Sequence, residues 1–170
     1  MTFRRIGLCA AFAGILACSV DPAPAPAERP QAPDFALSRL GQPDEVVRLS
    51  DLRGKKVVLD FWATWCVPCI DQVPALNAFF EAHGQDPDVA VFGVSADLEG
   101  TEGIEAWVEE QGVRYPILLG GDELALDIGA PGFPVTYWLD GEGRISRRHV
   151  GVIKAPELES DLAELRENAS

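Results

Sequence analysis

The stretch from Val57 to Cys69 constrains this chain more than any other. A continuous apolar run, Val57-Val58-Leu59, leads through Asp60 and Phe61 to two cysteines spaced Cys-x-x-Cys, Cys66 and Cys69. The run has β-branched residues and no alternation, which predicts a strand buried on both faces, as in a parallel sheet. After Cys69 the apolar positions Ile70, Val73, Leu76 and Phe80 follow helical spacing. The cysteines are therefore expected where a buried strand hands over to a helix, at that helix's N-terminus. Unpaired N–H groups and a partial positive charge there favour a thiolate over a thiol.

A chain of 170 residues suggests one domain plus extras, with a core large enough not to need disulfide staples. The formal net charge of -13 disfavours nucleic acid and anionic membrane surfaces as partners. The acidic residues are scattered, as on a solvated surface. Of the 4 cysteines, Cys9 and Cys18 lie in the N-terminal segment, so a single Cys-x-x-Cys pair belongs to the domain.

Arg4 and Arg5 precede an apolar run from Ile6 to Ala17, and no acidic residue occurs before Asp21. This is the layout of a secretory signal, and the run is too short for a membrane-spanning helix. It closes on Ile15-Leu16-Ala17-Cys18, which resembles a bacterial lipobox with Cys18 as the lipidated residue, although Leu16 is less usual at its place. The alternative is simple cleavage among Ala23, Ala25 and Ala27, giving a soluble protein. Residues 1–18 are thus expected to be a signal peptide and 19–33 a Pro/Ala-rich, extended tether. The folded domain is expected over 34–170. Export would place the cysteines in an oxidising compartment.

Short strands are expected at Phe35–Leu37 and Val46–Leu49, with a turn from Ser50 to Lys55 leading into the central strand. Val89–Val94 reads as a second buried strand. Thr101 is the expected N-cap of a helix burying Ile104, Trp107 and Val108 and stopping at Gly112. A strand at Tyr115–Leu119 and a helix at Asp122–Ile128 follow. Val135–Leu139 and Ile145–Val150 flank Asp140-Gly141-Glu142-Gly143, a hairpin signal, and Ala155–Leu165 is a last helix. Helical crossovers imply parallel central strands, and the hairpin adds antiparallel ones at the edge.

A zinc site would need a second pair of ligands, and the domain offers only His83 and His149 in polar surroundings. A purely structural disulfide across two residues closes too small a loop to stabilise much. Reversible redox chemistry remains the strong reading. Cys66, facing solvent at the helix start, is the expected nucleophile, and Cys69, a turn further in, the resolving cysteine. Val67 and Pro68 between them should tune the potential. Asp60, inside an apolar strand, is costly to bury as an ion, so its pKa should rise. It could take the proton from Cys69; the alternative is a structural pairing with Lys55 or Lys56.

The block Val57 to Cys69, with Asp60 and with Pro74 beyond Cys69, resembles thioredoxin. The wider domain is similar to exported, membrane-tethered thioredoxins of the TlpA/ResA/CcmG type. The likeness rests on Ala32-Pro33-Asp34-Phe35, on Leu49 to Lys55 and on Pro131-Gly132-Phe133-Pro134-Val135-Thr136-Tyr137. The resemblance implies a thioredoxin fold: an α/β domain with a mixed central sheet flanked by helices, an N-terminal β-hairpin extension and an inserted β-α element. It implies that Pro134 is cis and lies against the cysteines, with the Phe133 backbone open to an extended substrate strand. Trp65 would form an exposed rim, and Trp62, Trp107 and Trp138 would be packing residues. It further implies disulfide-bearing protein substrates, a membrane electron donor of the DsbD/CcdA kind, no cofactor and a periplasmic location held by a lipid anchor. The expected activity is protein-disulfide reduction, in cytochrome c maturation or in general extracytoplasmic disulfide reduction. A dithiol oxidant or isomerase is the alternative within the fold. A copper chaperone would need a wider Cys-x-x-x-Cys spacing with a specific histidine, and peroxiredoxin chemistry a Pro…Thr-x-x-Cys arrangement before the cysteine. One departure stands out: members of the ResA type carry an acidic residue three positions after the second cysteine, where this chain has Gln72, beside Asp71. That loosens the tie to cytochrome c maturation.

Overall fold

The apolar run does become the spine of the sheet. In the computed structural model, which describes residues 28–98 and 100–168, β3 (Lys56–Trp62) pairs in parallel with β4 (Val89–Ser95) on one side. On its other side it pairs antiparallel with β6 (Val135–Leu139). β5 (Ile117–Leu119) continues the parallel set beyond β4, and β7 (Ile145–Val150) closes one edge, antiparallel to β6. The N-terminal hairpin, β1 (Ala36–Arg39) and β2 (Gln42–Arg48), joins the opposite edge through β5, giving the order β2-β1-β5-β4-β3-β6-β7. This is the mixed sheet and hairpin extension that the resemblance implies. Of the second hairpin, only β7 lies at the edge.

Period-two alternation in β3 divides the core. Val58 and Trp62 face the layer built by α1 (Val73–His83), α2 (Thr101–Glu110) and α4 (Ala155–Glu167). Val57, Leu59 and Phe61 face α3 (Gly121–Asp127) and the N-terminal segment of Ala32, Phe35, Leu49 and Leu52. β5 and α3 form the inserted β-α element. Asp60 shares the row of Val58 and Trp62, so the pleat sends its side chain toward the layer that also holds Cys66 and Cys69.

Three local expectations are corrected. The helix does not begin at the cysteines: Val67–Gln72 is a 3₁₀ turn, and α1 starts at Val73. Pro74 has no N–H to give the carbonyl of Ile70, so an α-helix cannot run through both. Ile70 consequently turns outward, and the buried face of α1 is Val73, Leu76 and Phe79, with Phe80 only half-buried. Thr101 is the first residue of α2 rather than its cap; Gly100 holds the cap position without a side-chain bond.

The packed chain also starts earlier than Asp34. Arg29 is buried and meets Asp140 at 3.5 Å, and Gln31 bridges Arg144 antiparallel. The Ala32 N–H donates to the Gly143 carbonyl at 3.0 Å, and the Ile145 N–H donates to the Pro30 carbonyl at 2.8 Å. Extended, proline-rich backbone is ready-made to lie beside a sheet edge, so composition alone mistook residues 29–33 for tether. The expected signal peptide, Cys9, Cys18 and the rest of the tether lie outside the described residues. Among the described residues no helix is long and apolar enough to cross a membrane.

Candidate active site

The end of β3 delivers the chain to the cysteines through a pinned loop. The Thr64 N–H and hydroxyl both donate to Asp97, which follows β4, with the hydroxyl bond at 2.7 Å. Cys66 then caps the 3₁₀ turn, and the Cys69 N–H donates back to the Cys66 carbonyl at 3.0 Å. Cys66 thus keeps a place at the free N–H end of a helical turn, although α1 proper begins only at Val73. The two cysteines form a disulfide with Cα atoms 5.4 Å apart.

Their exposure differs less than expected. Cys66 is 4% exposed and Cys69 1%, so Cys66 does not face solvent openly in this form. The exposed rim is made by the neighbours: Trp65 is 68% and Val67 75% exposed. Trp65 leans on Phe133, ring centroids 5.8 Å apart, so the rim spans the cysteine loop and the loop before β6. The Phe133–Pro134 bond is cis, and the Pro134 carbonyl accepts the Gly151 N–H at 2.9 Å. Trp62 stacks on Trp107 in the interior, with centroids 4.1 Å apart, and Trp138 is fully buried.

Asp60, on β3, is 1% exposed. Its partners are not the lysines: Lys56 pairs with Asp88 at 3.5 Å instead. The Gln72 amide Nε2 donates to Asp60 Oδ1 at 2.7 Å, and the Thr136 hydroxyl donates to the same oxygen at 3.0 Å. Burial pushes the Asp60 carboxyl up from 3.8 to about 7, against the two hydrogen bonds, which pull it down. The desolvation of a carboxylate among apolar side chains outweighs two neutral donors. Such a group holds its proton through mild acid and releases it near neutrality, as a proton acceptor for a thiol requires.

The ceiling over Asp60 depends on a missing side chain. Gly93 is its ladder neighbour on β4. A Cβ there would lie 2.6 Å from Ile117 Cδ1, 2.9 Å from Tyr115 Cε2 and 3.0 Å from Trp62 Nε1. The Tyr115 ring and the Trp62 indole use that space, and burial, with Asp60 nearby, raises the Tyr115 phenol well above its ordinary value. No group of three or more His, Cys, Asp or Glu able to hold a metal ion occurs among the described residues.

Two further residues contribute that the motif alone does not single out. Thr136 is the antiparallel register partner of Asp60. Gln72, where the ResA type has an acid, is buried and bonded to Asp60. The one signal available is the Thr136 hydroxyl inside an otherwise apolar strand; Gln72, next to Asp71, carries none.

Residues 29–148 match the AhpC/TSA family. The chain is 33% identical over 135 residues to the thioredoxin-like protein YneN of Bacillus subtilis (strain 168), covering 79% of this chain and 78% of that one. It is 30% identical over 136 residues to the thiol-disulfide oxidoreductase ResA of Geobacillus thermodenitrificans (strain NG80-2), covering 79% and 76% respectively. Among solved structures, a Chlorobium tepidum protein assigned as a thiol:disulfide interchange protein DsbE superposes with a TM-score of 0.71 at 28% identity, covering 81% of this chain and 96% of that one.

Proposed function

This chain belongs to the AhpC/TSA family and is a thiol–disulfide oxidoreductase of thioredoxin-like fold; from that premise we propose that it reduces disulfides of proteins outside the cytoplasm. The observation that supports this reading best is the buried carboxyl of Asp60, with a pKa of about 7, bonded to Gln72 of the same turn that carries Cys69.

In the reduced protein, the Cys66 thiolate attacks one sulfur of a client disulfide. A Cys66–client bond forms as the client's S–S bond breaks, and the displaced sulfur leaves as a thiolate and takes a proton. Cys69 then gives its proton to Asp60 and attacks Cys66 Sγ, releasing the client's second sulfur. Two electrons pass to the client, and the chain is left with the Cys66–Cys69 disulfide, the form described above. Trp65, Val67 and Pro68 form one wall of the approach. Phe133, before the cis Pro134, offers its backbone N–H and C=O to an extended client segment. Regeneration would draw on a membrane electron donor of the DsbD/CcdA kind. A lipid on Cys18 and the proline-rich segment after it would hold the domain at the periplasmic side of the membrane. Cytochrome c maturation is one setting for such a reductant.

The test is disulfide reduction by the two cysteine variants. Cys66→Ser should abolish reduction, and Cys69→Ser should accumulate a client disulfide-linked to Cys66. Turnover by Cys66→Ser would overturn the assignment of roles.

A further inference from the structure

Asp60 has two oxygens, and the structure treats them differently. Both hydrogen bonds, from Gln72 Nε2 at 2.7 Å and from Thr136 Oγ1 at 3.0 Å, converge on Oδ1. Among the described residues Oδ2 has no hydrogen-bond partner. We propose that Gln72 is a positioning residue that commits Oδ1 of Asp60 to accepting hydrogen bonds and so reserves Oδ2 for the proton taken from Cys69. The inference rests on the oxidoreductase reading above.

The orientation of the Gln72 amide carries the argument. The Ile153 N–H, which can only donate, points at Gln72 Oε1 at 3.4 Å. That places the amide oxygen toward Ile153 and the NH₂ group toward Asp60. An amide NH₂ cannot accept, so a proton on Oδ1 could not be passed to Gln72. With both donors spent on Oδ1, Oδ2 is the oxygen left to take the proton, and the ionised acid presents it as its free acceptor. Gln72 closes the same 3₁₀ turn that contains Cys69, so the donor is carried on the element that carries the resolving thiol. The segment supplying Ile153 also supplies the Gly151 N–H that holds the Pro134 carbonyl, at 2.9 Å. One connection, between β7 and α4, therefore ties down both the cis-proline loop and the amide that aims the acid. A carboxylate at position 72 could not do this: it would bring a second acceptor to Oδ1.

The test is a carboxyl-carbon NMR titration of Asp60 in the oxidised protein. It is paired with stopped-flow rates for the two steps of client reduction, formation and release of the mixed disulfide. Gln72→Met keeps the length and volume of the side chain but not the donor, and so separates hydrogen bonding from packing. Losing a donor to the ionised form should raise the Asp60 midpoint by about one pH unit. Release at neutral pH should then slow about fivefold, because less Asp60 is ionised, while attack by Cys66 is unchanged. Gln72→Glu, which retains an acceptor for Ile153, should raise the midpoint further, because two carboxyls would share one proton. A Gln72→Met protein that titrates and releases client like the wild type would overturn the proposal while leaving the oxidoreductase reading intact. A shifted titration in a protein that reduces no disulfide would instead sink the reading and keep the positioning role.

Discussion

Replacing Asp60 by Asn should change how stability depends on pH, and the size of that change follows from the site. In the folded protein the carboxyl titrates near 7, and without its surroundings near 3.8. Below the lower value the group is protonated in both states and costs nothing. Between the two, the unfolded chain ionises while the native one holds its proton, so native stability falls as pH rises. Above the folded value the loss is complete and levels off at about 4 kcal/mol, a large share of a typical domain's stability. The amide introduced by Asp60→Asn would still accept from Gln72 and Thr136 through its carbonyl, but it cannot ionise. The stability difference between variant and wild type should therefore shift in the variant's favour by up to about 4 kcal/mol between pH 4 and pH 8, then become flat. Other titrating groups are common to both proteins and cancel; His83 is one, its pKa lowered by burial but raised on balance by Asp86 and Glu159. Denaturant unfolding of the two oxidised proteins across this range, with equal slopes required, measures it. A difference that stays constant with pH would refute the reasoning and return Asp60 to an ordinary ionised carboxylate.

Gly93→Ala should destabilise the domain by about 1–3 kcal/mol, measured by thermal unfolding, because its Cβ must displace Ile117, Tyr115 and Trp62 together. Removing residues 29–33 should lower the unfolding midpoint, since Arg29, Pro30 and Ala32 hold Asp140, Ile145 and Gly143. Trp65→Ala should leave stability within about 0.5 kcal/mol but weaken client binding, read as a raised KM, because the ring is mostly solvent-exposed where it leans on Phe133.

Much of this was legible in the chain because its local signals agreed. The central strand needed only a run too apolar to have a wet face, and the hairpin of β6 and β7 matched its expected bounds because Asp140 and Gly143 are what its turn demands. The failures came where one physical preference hid another. Residues 29–33 look like a solvated tether, but extended backbone can also dock on an edge. The apolar spacing from Ile70 onward suggested a helix, and the N–H missing from Pro74 decided where it starts. At the site, Cys66, Cys69 and Asp60 were readable because each is chemically out of place. Gln72 and Thr136 were not, because ordinary polar residues become significant only when the fold brings them to Asp60 Oδ1.

The central claim, that Asp60 receives the proton of Cys69, is tested most directly by the single-turnover rate of mixed-disulfide resolution as a function of pH. A disulfide-bridged peptide can be loaded on Cys66 and the reaction followed from about pH 5 to 9. The account predicts a rate rising about tenfold per pH unit in acid and levelling near 7, with that profile lost in Asp60→Asn. A rate that climbs on to the pKa of an ordinary thiol, or one unchanged by Asp60→Asn, would contradict it.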